Sequence, residues 1–203
     1  MKFYHSAALL VLALTSCHSN DQPGTGSAVI DSAAVTAKAP QQSTMTGPAQ
    51  VAYGFFIWCK NNQAPLDSIN IIGDTGKGTP KYYKVDIAAT EKYLAVIDKS
   101  GLVSKAYLAK WQKYFRQQAD SLRVHPQNDG PPNGFDFNLL TYSQEPELYL
   151  ANPRKAKQHT ELLTPNRAVV KLDFTTEPKY PDYRIFHLTR TNSTWLIDSI
   201  AVN

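Results

Sequence analysis

From His18 to Gln50 the chain contains no aromatic residue, and this absence most limits what it can fold into. Ser, Thr, Ala, Gln, Gly and Pro dominate the segment, so too little apolar surface is present to offset the entropy of ordering it. It reads as a tether whose end-to-end distance is roughly 30 Å for 33 residues of Gly/Ser-type coil. All three tryptophans and nearly all other aromatics lie in residues 51–203. Those 153 residues suit one globular domain, and no internal repeat divides them.

Before the tether stand basic Lys2, the apolar run Ala7 to Leu14, and Thr15-Ser16-Cys17. The order of basic, apolar and small residues is that of a secretory signal. The run has eight residues, and Thr15-Ser16-Cys17 and then polar His18, Ser19, Asn20 and Asp21 follow it, whereas a bilayer span needs about 20. Leu14-Thr15-Ser16-Cys17 resembles the cleavage site of a bacterial lipoprotein. The resemblance implies a signal peptide over 1–16, lipidation of Cys17 with palmitate-type chains, a tether over 17–50, and attachment to the cell envelope, with the outer membrane as the expected site. Two or more acyl chains make such an anchor stable.

Loss of residues 1–16 removes Lys2 and lowers the formal charge from +4 to +3. Basic and acidic residues are mixed, with no run of like charge that would mark a nucleic-acid stripe or polybasic patch, so no nucleic-acid partner is expected. With Cys17 lipidated, Cys59 has no disulfide partner within the chain. The domain must be held by packing.

Val51, Phe55, Trp58 and Asn62, together with Ala52, Phe56 and Cys59, recur at helical spacing and predict a buried first helix stopping at Asn61-Asn62 before Pro65. Cys59 lies on its apolar side as a small hydrophobe without a neighbouring base. Gly73, Gly76, Lys77 and Gly78 imitate a phosphate loop, but Gly78-Thr79-Pro80 leads into β-prone Tyr82-Tyr83-Lys84-Val85 rather than a helix, so a loop or hairpin is expected. Ala88–Ser100 predicts a helix ended by Gly101. Ser104 caps a longer one with the stripe Tyr107, Leu108, Trp111, Tyr114, Phe115, Gln118 and Leu122. His125 to Gly134 is a loop. In Phe135 to Tyr142, Asp136 and Asn138 sit between hydrophobes; Asp136 either caps a turn or faces a cavity mouth. Ala168–Phe174, Tyr183–Thr189 and Thr194–Val202 read as antiparallel strands, the last two joined by a tight turn at Thr191-Asn192-Ser193. Trp195, Ile197 and Ser199 alternate with Leu196, Asp198 and Ile200. The predicted class is α+β, with N-terminal helices packed on a twisted antiparallel sheet.

This order of elements resembles the cone-like domain of the nuclear-transport-factor-two-like superfamily, a cystatin-like α+β shape. Within it the chain is most similar to the uncharacterised bacterial domain family 3828, which secreted or lipid-anchored proteins often carry. The residues that carry the resemblance are Phe55-Phe56-Ile57-Trp58, Phe135-Asp136-Phe137 with Gln144-Glu145, and the terminal Trp195-x-Ile197-Asp198-x-Ile200, spread over most of 51–203. It implies a pocket between helices and sheet, but fold alone leaves its use open.

The five histidines, His5, His18, His125, His159 and His187, show no metal-ligand spacing, and no cofactor or metal is expected. Gly-x-Ser-x-Gly is absent. Three functional classes remain. A binding module would use Trp111, Tyr107 and Phe135 around a small apolar ligand. An acid/base enzyme would use Asp136 with Tyr142 or His187 as donor. An interaction protein of immunity or inhibitor type would dock another envelope protein. Oligomeric state is left open. Ser32, within Asp31-Ser32-Ala33, resembles a Bacteroidetes O-glycosylation acceptor; further Asp-Ser pairs occur at Ser68, Ser121 and Ser199. Asn192-Ser193-Thr194 fits the N-glycosylation sequon.

Overall fold

The computed structural model describes residues 47–203, so the signal segment 1–16, Cys17, Ser32 and the tether up to residue 46 lie outside the described residues. Helix α1 spans Pro48–Asn61 and thus begins three residues inside the segment read as tether. Proline is favourable at this first position, because its missing N–H would have no intrahelical acceptor there. Val51, Ala52, Phe55, Phe56 and Cys59 of α1 are buried. After Asn62 the chain does not leave helical geometry but makes a short α2, Gln63–Asp67, with Pro65 in its first turn. Strands β1, Ile72–Asp74, and β2, Tyr83–Val85, form a small antiparallel hairpin around the glycine-rich loop.

Helix α3, Ile87–Asp98, starts where the Asp86 carboxylate accepts the Ala89 amide at 2.9 Å, and it buries Tyr93, Leu94 and Ile97. Gly101 follows it at φ 67°, a conformation that costs glycine little. Helix α4, Lys105–Val124, opens at Ser104, whose hydroxyl accepts the Tyr107 amide at 3.3 Å. Its buried residues are Tyr107, Leu108, Trp111, Phe115 and Leu122. A four-residue α5, Glu147–Leu150, and a 3-10 turn at Pro153–Lys155 lead into the main sheet.

That sheet has four antiparallel strands in sequence order: β3 Lys157–Thr164, β4 Arg167–Asp173, β5 Tyr183–Thr191 and β6 Thr194–Val202. The class is α+β, with helices and a four-stranded antiparallel sheet. Ala168, Val170 and Leu172 of β4, Phe186 and Leu188 of β5, and Trp195 and Ile197 of β6 are all buried. They form one face, on which α1 and α4 pack. Phe186 lies edge-on to Phe56 at 5.4 Å and to Phe55 at 6.3 Å, so the helix and sheet meet through aromatic contacts. Asn192 and Ser193 both have positive φ, 48° and 67°, as a two-residue hairpin twisted to match its strands requires.

Two features of the sheet depart from the sequence pattern. Almost all of β3 is exposed, so it carries no apolar alternation and forms an edge paired only with β4. In β6 the register passes from His187↔Ser199 to Leu188↔Ile197, leaving Asp198 as the extra residue of a bulge. The expected alternation of Ser199 with Trp195 and Ile197 is therefore corrected beyond the bulge. Ile200 turns to the core there and is buried.

Candidate functional site

The free edge of β6 fixes where α4 begins. Ile197 donates to the Leu102 carbonyl at 2.9 Å, and the Ser104 amide donates to the Ile197 carbonyl at 2.9 Å. Ser104 thereby ties the strand with its backbone and starts the helix with its side chain. Residues Tyr107, Lys110, Trp111 and Tyr114 follow at i, i+3, i+4 and i+7, one face of α4 directed at β6 and at the loop that follows α4.

The segment Phe135–Tyr142 supplies the opposite wall. Its turn is organised by Asn138, whose Oδ1 accepts the Leu140 amide at 3.1 Å, the Thr141 amide at 3.0 Å and the Thr141 hydroxyl at 3.1 Å. The Tyr142 amide also donates to the Asn138 carbonyl at 2.8 Å. These bonds hold Tyr142 at φ 54°, unusual for a bulky residue and costing about 1–3 kcal/mol of local strain. Before the turn, the Tyr114 hydroxyl donates to the Gly134 carbonyl at 2.5 Å. Gly134 is at φ 84°, and a Cβ there would stand 2.7 Å from that hydroxyl, so both conformation and closeness require glycine.

Between these walls lies a cleft of about 210 Å³. Trp111, Tyr114, Phe137 and Tyr142 form its aromatic sides, Tyr107 is buried at depth, Lys110 is exposed, and Ser199 and Ile200 complete it from β6. The Tyr142 ring stacks on Phe137 at 6.2 Å and lies 5.8 Å from Trp111 at an interplanar angle of 34°. Tyr107 is 1% exposed, yet its hydroxyl has no hydrogen-bond partner. Trp111 partly opposes the effect of burial on the Tyr107 phenol. Burial raises the pKa of Tyr107 well above the ordinary phenol value and pushes that of Tyr142 up to about 12. A low-dielectric setting penalises the phenolate, so both groups are protonated donors at neutral pH.

Of the residues expected to bind, Trp111 and Tyr107 line this cleft, and Phe135 does not. Phe135 stacks on Phe115 at 6.3 Å and 8°, on the other side of Tyr114, and Phe137 takes the place foreseen for it. Of the acid/base set, Tyr142 lines the cleft. Asp136 is exposed, outside the lining and without a capping hydrogen bond; the cap is Asn138. Its charge reaches the site only as a secondary cause, after burial, of the raised Tyr114 pKa. His187 is exposed, on the face of β5 opposite buried Phe186 and Leu188. The cleft lining thus contains neither carboxylate nor imidazole.

Sequence reasoning passed over Lys110, Phe137 and Ile200 as lining residues. Helical spacing from Tyr107 was a signal for Lys110, whereas Phe137 lies in a segment with no period. Cys59 is buried in α1, and burial raises its pKa, which leaves an unreactive thiol. Among the described residues no group of three His, Cys, Asp or Glu is placed to hold a metal ion, and no helix is long and apolar enough to cross a membrane. No protein-family model, curated protein or solved structure matches the chain.

Proposed function

We propose that this chain is an envelope lipoprotein whose domain, of the nuclear-transport-factor-two-like type, binds a small ligand in the cleft between α4, β6 and the Phe135–Tyr142 loop. One observation carries the binding reading: an open cleft of about 210 Å³ has the rings of Trp111, Tyr114, Phe137 and Tyr142 as its sides and Lys110 and Ser199 as polar groups on its lining. A concave surface that is mostly apolar and carries a few polar groups is the usual form of a small-molecule site. The strained backbone of Tyr142 on the same cleft supports the reading, since strain of this kind concentrates at binding sites. Helices on one face of an antiparallel sheet, with a cleft where they meet, support the superfamily assignment. The lining offers no general acid/base pair, which favours binding over catalysis by Asp136.

Phe137→Ala tests the binding role. Phe137 is half-buried on the cleft, so thermal melting should fall by only a few degrees, while ligand retained by the full chain in native mass spectrometry should fall. A lowered melting temperature with retention unchanged would instead make the ring structural. The anchor is tested separately. Labelled palmitate should enter the wild type and not Cys17→Ala, and equal labelling of both would remove the lipoprotein assignment.

A further inference from the structure

The two edges of the main sheet differ. At the β6 edge the outward backbone groups of Ile197 bond to Leu102 and Ser104. Beyond β3 no strand follows among the described residues, and β3 is exposed along nearly its whole length, Leu162 at 63%. Which of its backbone groups face outward follows from the register. At the two ends of β4 the Arg190 amide donates to the Asn166 carbonyl at 2.8 Å and the Phe174 amide to the Asp182 carbonyl at 2.9 Å. Even-numbered residues of β4 thus bond to β5, and odd-numbered ones turn to β3. Lys157, His159 and Glu161 pair with those odd-numbered residues, which leaves the N–H and C=O of Gln158, Thr160 and Leu162 directed at solvent.

We propose that this edge pairs with the same edge of a second copy of the chain, antiparallel about a two-fold axis at Thr160. Both ends of the free stretch are closed off. The Ala156 amide already donates to Pro153 and its carbonyl accepts the Tyr53 hydroxyl, while the bulge at Leu163 and then Pro165 interrupt the ladder beyond Leu162. Only a ladder centred on Thr160 gives Gln158, Thr160 and Leu162 all a partner: Thr160 meets Thr160, and Gln158 meets Leu162. Centring on His159 would require the occupied Ala156, and centring on Glu161 would set two carboxylates face to face. In the Thr160 register His159 stands directly opposite Glu161 of the second copy, and Lys157 stands diagonally across from it, within reach of a long side chain. The strand is therefore complementary in charge to itself. Because the β6 edge is bridged at Ile197, the joined sheet closes as a dimer and does not extend into a filament.

Sedimentation velocity of the full chain over a concentration series tests the pairing. The wild type should show a monomer–dimer equilibrium. Thr160→Pro removes an outward N–H without breaking a bond to β4, so it should leave a monomer at every concentration and change the melting temperature of the dilute chain little. Glu161→Lys should raise the dimer dissociation constant about tenfold, since it opposes like charges at both ends of the ladder. Adding His159→Glu to Glu161→Lys exchanges the facing pair and should restore most of the loss. If Thr160→Pro fails to fold, this loss and recovery carry the test. A wild type that stays monomeric, a dimer that persists in folded Thr160→Pro, or larger assemblies would each overturn the proposal. An unchanged dissociation constant in Glu161→Lys would overturn the register on which it rests.

Discussion

Phe186→Ala is expected to destabilise the domain by about 3–5 kcal/mol, the range for removing a fully buried phenylalanine. Phe186 is 0% exposed and touches both helical phenylalanines, Phe55 and Phe56, while its strand partners Val170 and Ile200 are themselves buried. Neighbours held in a sheet and in a 14-residue helix cannot collapse into the space left behind. With typical total stabilities of about 5–15 kcal/mol, such a loss leaves a marginal fold. The urea midpoint should fall with little change in slope, and the melting temperature should drop by about 10 °C or more. Phe186→Leu keeps most of the volume and should cost about 1–2 kcal/mol. If Ala and Leu cost the same, below about 1 kcal/mol, the aromatic junction does not hold α1 to the sheet.

The elements that fix this core were legible where a side-chain period coincides with one-sided burial. Ser104 followed by the Tyr107–Leu122 stripe announces α4, and Val170, Leu172 and Phe186 announce the inner face of the sheet. The edge strand β3 was not legible. Lys157 to Thr164 are solvated, so no alternation records their pairing. The bulge at Asp198 was hidden for a different reason, because a period of two assumes an unbroken ladder and one extra residue exchanges Ser199 for Ile200. In the Phe135–Tyr142 loop, Asp136 and Asn138 have similar capping chemistry and the same alternation. The choice between them depends on which side chain the folded turn aims at the Thr141 amide. Phe135 and Phe137 are likewise equivalent in sequence; in the folded loop, which the Tyr114–Gly134 hydrogen bond ties to α4, the first packs on Phe115 and the second on Tyr142.

Arg184→Ala is the second substitution with a large expected effect, and it bears on the cleft as well as the core. The side chain is 4% exposed on the inner face of β5. Its Nε donates to the Thr141 carbonyl at 2.6 Å, and its Nη1 donates to the Tyr183 carbonyl at 3.0 Å and to the Asp182 carboxylate. The guanidinium lies 4.0 Å over the Tyr149 ring, and the Tyr149 hydroxyl donates to the same carboxylate at 2.7 Å. Arginine suits this place because its planar fork is always charged and can serve several acceptors together. Alanine would leave the Thr141 carbonyl in a dry site and remove the partner of Asp182. Breaking a buried ion pair costs about 3–5 kcal/mol, and the partial exposure of Asp182 and its remaining bond from Tyr149 place the expected loss near 3 kcal/mol. Because Thr141 adjoins strained Tyr142, loosening that carbonyl should also disorder the cleft wall. Ligand affinity should therefore fall even at temperatures where Arg184→Ala remains folded. Asp182→Asn should cost less in an Arg184→Met background than in the wild type, with a coupling of about 1–3 kcal/mol in the double-mutant cycle. Additive effects would mean that the guanidinium acts through Thr141 and Tyr149 alone.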